Sequence, residues 1–414
     1  MQLPRSGMSR QDIMARLKRE MAEDAPWDKG KTFFLVYGVD DDHIEVLRDA
    51  HSLYIQTNGL GAGTMFPSIA RLEADVIGIA GELLGLPTAV GNITSGGTES
   101  ILMGIRSALE RTRAEKPGLT APEMVVPVSA HPAFQKAAQV FGIKEIRVPL
   151  TKDYVVDMKA MAAAITDRTV ALVGSAPNYP FGTIDPMKEL SDLALARKIH
   201  LHADCAVGAF ALPFLRRLGE PIPPFDFSLP GVSTISADIH KYGFGERGSS
   251  LILYRDAATQ ERAKFILDAW SAGPYRTPTM AGSRPGAVVA SAWAILHHFG
   301  EEGYLRMTRA MLDATRKLQA GIERIPGLRV LGKPAMYVFG FTSEDSDIWA
   351  IGEAMAERGW HIHRQATEPR TLHLVITPIH VPVVDDLLRD LAAAAKEVRE
   401  GGRDARRGSN YGAH

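Results

Sequence analysis

In "STISADIHKYGFGERGSS", residues 233–250, His240 and Lys241 stand side by side between a β-branched run, Val232 to Ser236, and an apolar one, Leu251 to Tyr254. Both runs read as short strands, which puts the pair in a glycine-rich turn. A lysine there is either an ordinary surface residue or a nucleophile that forms a Schiff base. Three further patterns bear on that choice. In "NITSGGTESILMGIRSALE", Gly96, Gly97 and Thr98 stand where a loop enters a strong helix. Free N–H groups and the helix dipole there suit a phosphate, and glycine lets the backbone come close. The same pattern fits an ordinary helix capped by Ser95 or Thr98. In "IHLHADCAVGAF", Asp204 ends an apolar run, with His202 two residues before it. Functional groups of parallel sheets gather at the carboxyl ends of strands, and a buried carboxylate there needs a partner such as a pyridinium N–H. An aspartate that merely starts a turn fits as well. In "VSAHPAFQKAAQVFG", His131 follows a strand and precedes a proline-initiated helix. It could stack on an aromatic cofactor, or be a helix-entry residue with no such role.

The order of these groups carries more than each alone. A phosphate cup (Gly97, Thr98), a ring-stacking group (His131), a partner for a ring nitrogen (Asp204) and an amine for an aldehyde (Lys241) are what pyridoxal 5'-phosphate requires. On this reading burial beside cationic neighbours lowers the pKa of Lys241 and makes it a nucleophile.

The elements that must position these residues have a matching rhythm. From about residue 90 to 255, short apolar runs near 123–128, 145–148, 169–174, 199–203, 233–236 and 250–254 alternate with helical patterns. That alternation predicts a mostly parallel sheet covered on both faces, hence an α/β fold. Helices are expected over 9–23, over "DDDHIEVLRDAHSLYIQT", and from Pro67 to a glycine stop at Gly85. A long helix from Glu301 to Ile325, strand-like "LRVLGKPAMYVFGFTS" and "TLHLVITP", and helices at "DIWAIGEAMAERG" and 383–399 suggest a smaller α+β unit. The division expected is an N-terminal helical arm (1–60), a cofactor-binding large domain (61–295), a small C-terminal domain (296–398) and a disordered tail (399–414).

Composition narrows the class further. The 414 residues hold 47 Lys and Arg against 48 Asp and Glu, a formal net charge of −1, which argues against a nucleic-acid partner. The single cysteine, Cys205, excludes a disulfide framework and a cysteine-rich metal site, and no metal is expected. The charged N-terminus is no signal peptide, and "AVVASAWAIL" is about half the ~20 residues a membrane span needs. A soluble, cytoplasmic protein without a transmembrane anchor is expected.

With these motifs in hand, the chain resembles the fold-type I pyridoxal-phosphate enzymes (aspartate aminotransferase-like), in the branch of group II amino-acid decarboxylases and sphingosine-1-phosphate lyases. "NITSGGTESILMGIRSA", "SAHPAFQKAA", "SAPNYPFGTIDP", "HADCAVGAF", "STISADIHKYG" and "TMAGSRPG" read closest to the lyases, and to bacterial ones, which lack the eukaryotic anchor. The resemblance implies that Lys241 carries the Schiff base, Asp204 pairs with the pyridine nitrogen and His131 stacks on the ring. It implies that Gly97, Thr98 and His240 hold the cofactor phosphate, with Gly282 and Ser283 supplied by the partner subunit of a homodimer with shared active sites. Tyr37 and Arg247 stand where the lyases engage the substrate phosphate, Arg247 replacing the usual lysine. One segment departs from the pattern. The lyases read N-P-L-H-P-D before the F-P-S helix, whereas here "NGLGAGTMFPS" keeps Asn58 and Leu60 but lacks the His and Asp. The implied substrate is a phosphorylated sphingoid base, cleaved between C2 and C3 to a fatty aldehyde and phosphoethanolamine. The base that acts at C3 stays open among a phosphate oxygen, a tyrosine and a water. Two other readings are an amino-acid decarboxylase, with Arg247 taking a carboxylate, and an inactive homologue serving as a scaffold. The retained Lys241, Asp204, Gly97 and Thr98 speak against the last.

Overall fold

Short polar side chains open the first helices where the sequence marks them. In the computed structural model, which describes residues 2–402, 404–406 and 408–409, Ser9 caps α1 (Arg10–Met21) and Asp40 caps α2 (Asp41–Tyr54). Each side chain accepts a first-turn N–H, satisfying a donor the helix itself leaves open. Pro67 begins α3 (Pro67–Leu83), where its missing N–H costs nothing.

A seven-stranded sheet follows in the order β1-β7-β6-β5-β4-β2-β3. Its strands are β1 (Val90–Thr94), β2 (Glu123–Pro127), β3 (Lys144–Val148), β4 (Thr169–Ser175), β5 (His200–Asp204), β6 (Val232–Ala237) and β7 (Ser250–Tyr254). Only β7 runs antiparallel to its neighbours. The crossovers are α4 (Gly97–Glu115), α5 (Ala133–Phe141), α6 (Met158–Ala163), α7 (Met187–Arg197) and α8 (Leu212–Arg217), with α9 (Ala257–Ala263) after β7. Successive residues of a strand feed opposite faces. Met124 and Val126 of β2 pack with α4 and α5, while Val125 joins the core on the other face. Burial on both sides explains why all seven residues of β4 are buried and why these strands read as unbroken apolar runs.

The hairpin of β8 (Phe265–Leu267) and β9 (Tyr275–Thr277) leads into α10 (Gly286–Glu323). This helix carries a break at Gly300, whose φ of 52° and ψ of −177° are not helical, so the helix expected from Glu301 is preceded by a further helical stretch that begins fifteen residues earlier. The expected boundary at 295/296 therefore falls inside α10. An antiparallel sheet of β10 (Leu328–Val330), β11 (Val338–Ser343), β12 (His363–Gln365) and β13 (Thr371–Val375) follows, in the order β10-β11-β13-β12. It is covered by α11 (Ile348–Glu357) and α12 (Val384–Gly401). Of the expected unstructured tail, residues 399–401 complete α12, the Ala405 N–H donates to Asp347, and the Ser409 hydroxyl donates to the Arg364 carbonyl. Residues 403, 407 and 410–414 lie outside the described residues. Among the described residues no helix is long and apolar enough to cross a membrane.

The segment between α1 and α2 is irregular in sequence but is held through both backbone groups of Phe33. The Phe33 N–H donates to the His361 carbonyl at 2.9 Å and the Phe33 carbonyl accepts the Val375 N–H at 2.9 Å. The Phe33 ring is fully buried between Trp360 and His380. The N-terminal arm is thereby a piece of the C-terminal unit, and it delivers Leu35 and Tyr37 to the carboxyl edge of the large sheet.

Candidate active site

The central parallel strands end at one edge, and the residues there enclose a cavity of about 420 Å³. Gly97 and Thr98 enter it from the start of α4, His131 from the loop after β2, Asp204 from the end of β5, and His240 and Lys241 from the turn after β6. Tyr37 and Arg247 line it from the arm and from the loop before β7. These residues come from five separate segments, and the sheet is what unites them. Asn58, Gly282 and Ser283 are absent from the cavity lining. Asn58 and Ser283 instead meet each other: the Asn58 amide donates to the Ser283 hydroxyl at 3.1 Å and accepts the Arg284 N–H at 3.2 Å.

Helix α4 begins at Gly97 with no side chain capping it, so neither Ser95 nor Thr98 plays that part. A β-carbon on Gly97 would stand 2.8 Å from the Asp238 carboxylate, so only glycine fits there. The Ser95 N–H donates instead to Glu99 at 2.7 Å.

Lys241 is not the low-pKa amine expected. Its Nζ lies 2.9 Å from Asp238 Oδ2. Burial works against the charge, but Asp238 outweighs it, and the ammonium is held above its ordinary value. A carboxylate, which the sequence reading did not place beside the amine, decides its charge. Asp238 also lies 3.5 Å from His240 Nε2 and accepts the Ser250 hydroxyl at 2.5 Å. Burial tends to raise the Asp238 carboxyl, yet Lys241 and His240 prevail and keep it below its usual range. His240 itself is lowered by burial, and its Nδ1 donates to the Ser249 carbonyl at 2.7 Å. Burial, then the charge of Lys241, lowers His131. Asp204 Oδ1 accepts the Ser236 hydroxyl at 2.9 Å and the Ala206 N–H at 3.1 Å.

Several lining residues escaped the sequence reading. Asp238 is the foremost, although "DIHK" places an acid beside two bases in one turn. Ser129 and Tyr179 also line the cavity, after β2 and β4. The Ser129 hydroxyl is buried without a hydrogen-bond partner among the described residues, which marks a polar wall built for something other than protein. Arg247 donates to the carbonyls of His240, at 3.2 Å, and Leu35, and its guanidinium lies 5.2 Å from the Tyr37 ring.

An uncapped helix start, an orphaned hydroxyl, a carboxylate held on one oxygen, and an amine opposite them fit pyridoxal phosphate group by group. Together with the sheet order they define a fold-type I pyridoxal-phosphate enzyme. The description of the pyridoxal-dependent decarboxylase conserved domain matches residues 2–342, and the chain belongs to that family, in its sphingosine-1-phosphate lyase branch. It is 42% identical over 397 residues to the sphingosine-1-phosphate lyase of Arabidopsis thaliana, covering 94% of this chain and 72% of that one. The sphingosine-1-phosphate lyase structure from Burkholderia pseudomallei superposes with a TM-score of 0.93 at 36% identity, covering 97% of this chain and 94% of that one. A probable L-tyrosine/L-aspartate decarboxylase of Methanothermobacter thermautotrophicus is 38% identical over 343 residues, covering 82% of this chain and 91% of that protein.

Proposed function

We propose that this chain is a pyridoxal-phosphate-dependent aldehyde-lyase that cleaves the C2–C3 bond of a phosphorylated long-chain base, releasing a fatty aldehyde and phosphoethanolamine. The carrying observation is the meeting of Lys241, Asp204, His131 and the open start of α4 in one cavity, in a chain whose lyase relative matches it over 94% of its length. Gly97, Thr98 and His240 hold the cofactor phosphate, His131 covers the ring, and Asp204 faces the ring nitrogen. When bound, the cofactor supplies an aldehyde that takes up amines and a protonated ring that accepts an electron pair. Asp238 holds the proton on Lys241 Nζ, and that proton must leave before the nitrogen can act as a nucleophile. Tyr37 and Arg247 receive the substrate phosphate at the mouth, where a guanidinium fork suits phosphate oxygens. Leu35, exposed beside them, offers apolar surface to the alkyl chain.

The working unit is a homodimer with shared sites, in which Asn58, Gly282 and Ser283 reach the neighbour's cavity. The hydrogen bond between Asn58 and Ser283, with neither in the lining of its own cavity, supports that arrangement. A cytoplasmic location accords with a single cysteine, Cys205, that is buried and free. The archaeal relative favours a second reading, an amino-acid decarboxylase with Arg247 on the substrate carboxylate. Incubating the holoenzyme with sphingosine 1-phosphate and, separately, with a panel of amino acids tests the choice. Fatty aldehyde released from the first supports the lyase. Carbon dioxide from an amino acid, with no aldehyde from the lipid, replaces it by the decarboxylase.

A further inference from the structure

His202, noticed two residues before Asp204, is not part of the cavity lining, and no step above uses it. Strands β5 and β6 are parallel, with His202 opposite Thr234 and Asp204 opposite Ser236. Alternation therefore lays His200, His202 and Asp204 of one strand beside Thr234 and Ser236 of the other on a single face. All of them are buried. They are joined in one hydrogen-bonded series. His200 Nε2 lies 2.8 Å from Thr234 Oγ1, Thr234 Oγ1 lies 2.8 Å from His202 Nδ1, and His202 Nε2 lies 3.3 Å from Ser236 Oγ. Ser236 donates to Asp204 Oδ1 at 2.9 Å.

The direction of every bond follows from the carboxylate. Asp204 can only accept, so the Ser236 proton is spent on it and Ser236 must accept from His202 Nε2–H. Burial lowers His202 to about 4 and holds His200 well below its ordinary value, so both rings are neutral near pH 7. A neutral imidazole has one donor and one acceptor. His202 Nδ1 therefore accepts from Thr234, and Thr234 accepts from His200 Nε2–H. The remaining nitrogen, His200 Nδ1, is buried without a partner among the described residues. All four bonds are polarised toward Asp204, and such chains strengthen one another in a low-dielectric interior. The helix above makes room for this. A β-carbon on Gly104 of α4 would stand 2.6 Å from His202 Nδ1, so α4 carries a glycine where the ring lies.

We propose that His200, Thr234, His202 and Ser236 form a positioning chain that holds Asp204 by one oxygen and keeps the other turned toward its partner in the cavity. Both protein hydrogen bonds to the carboxylate fall on Oδ1, which leaves Oδ2 as the oxygen for the ring nitrogen. The inference rests on the reading of Asp204 as the partner of that nitrogen. The other titratable groups facing Asp204 are His131 after β2, Asp185 after β4, the adjoining Cys205, and Lys241 after β6. None of them belongs to the chain, and the variants below leave them in place.

The test loads wild type, Ser236→Ala, Thr234→Val, Thr234→Ser and Asp204→Asn with pyridoxal phosphate labelled with ¹⁵N in the ring. The ring-nitrogen chemical shift is followed against pH, and cofactor affinity is measured on the stripped proteins. Thr234→Val keeps the size of the side chain while severing both imidazoles from the hydroxyl, and Thr234→Ser restores the hydroxyl. Without the bond that fixes Oδ1, Oδ2 can turn away from the ring nitrogen, so Ser236→Ala should lower the pH at which the ring loses its proton by roughly one unit or more. Thr234→Val should shift it in the same direction by less, and Thr234→Ser should return it to the wild-type value. Should Asp204→Asn leave the ring signal where it is, the cofactor reading of Asp204 fails first. Should Asp204→Asn move it while Ser236→Ala and Thr234→Val do not, the chain alone is overturned. A Thr234→Val shift that serine fails to reverse also overturns it, because packing would then be the cause.

Discussion

At the scale of single residues, the site is an arrangement of opposed charges, and Asp238 sets it. Its pairing with Lys241 has a definite pH window. Asp238 is held below its ordinary value, so its contribution is present above an unfolded pKa of about 3.9 and is lost as pH falls through the lower folded value. Lys241 is held above its ordinary value, so its contribution is complete below about 10.4 and is lost as pH rises through the higher folded value. Asp238→Asn should therefore destabilise the cofactor-free protein at pH 7 by roughly 2–4 kcal/mol, the lower part of the range reflecting the opening of Lys241 to the cavity. Urea unfolding at several pH values measures it, and the difference from wild type should shrink as pH falls below about 3.9 toward the lower folded value. Arg247→Ala should lower kcat/KM for the phosphorylated base about thirtyfold, from loss of about 2 kcal/mol of charge-assisted hydrogen bonding, and leave cofactor affinity near wild type. An unchanged kcat/KM would remove Arg247 from the substrate site. His131, Asp204 and Lys241 were legible because each stands at or within a few residues of a strand's end, so a local pattern locates it at the sheet's carboxyl edge. Asp238 follows a strand too, but its role depends on which groups lie across the turn from it, and spacing alone does not state that. The expected low pKa of Lys241 failed for the same reason.

At the scale of elements, the arm between α1 and α2 shows how a segment without periodicity can be structurally exact in its placement. His380 Nε2 donates to the Thr32 carbonyl at 2.9 Å, while its Nδ1 accepts from the Thr377 N–H at 3.0 Å. Those bonds, with the burial of Phe33, fix where Leu35 and Tyr37 emerge. Leu35 sits at φ 63°, a left-handed conformation uncommon for leucine, and its carbonyl takes a hydrogen bond from Arg247. Phe33→Ala should cost about 3–5 kcal/mol and should speed amide exchange across 31–37 in particular. Uniform loss of protection over the whole chain, with no excess in the arm, would contradict this account. Long periodic helices and all-apolar strands were legible because burial on one or both faces imposes their pattern. Strand β1 was not, since its Val-Gly-Asn-Ile-Thr sequence holds two poor strand formers. Gly91 is there for closeness: a β-carbon would stand 2.5 Å from the Ile252 carbonyl oxygen of β7. The three-residue strands of the hairpin and the small sheet are too short to show alternation. Gly300 reads as a helix stop and does break α10, while the helical stretch before it, from Gly286, was not read from the sequence.

At the scale of the whole molecule, the outside of the chain carries apolar surface that the fold does not use. No residue of α1 is buried, and Ile13, Met14, Leu17 and Met21 are all exposed along it. Leu53, Ile55 and Met65 are exposed beside the segment that departs from the lyase pattern, and Phe265 to Leu267 with Trp270 are exposed on the hairpin. Scattered apolar residues are ordinary, but contiguous ones mark interaction sites. None of this was legible in the sequence, where an amphipathic helix implies a core to lie on and α1 has none within its own protomer. In the proposed dimer a second copy of the chain would cover this surface and complete the site, and mixing two defective variants tests both points at once. Lys241→Ala should be inactive because it lacks the amine, and Ser283→Trp because its bulk projects into the neighbour's cavity. In a two-fold dimer with shared sites, a mixed pair has one cavity with both defects and one with neither. Refolding or co-expressing the two in equal amounts should then recover roughly a quarter of wild-type activity, the share expected from random pairing in a closed two-fold assembly. Light scattering on the same samples should give a dimer throughout. If the mixture stays as inactive as its components although dimers form, Ser283 acts within its own protomer and the sites are not shared.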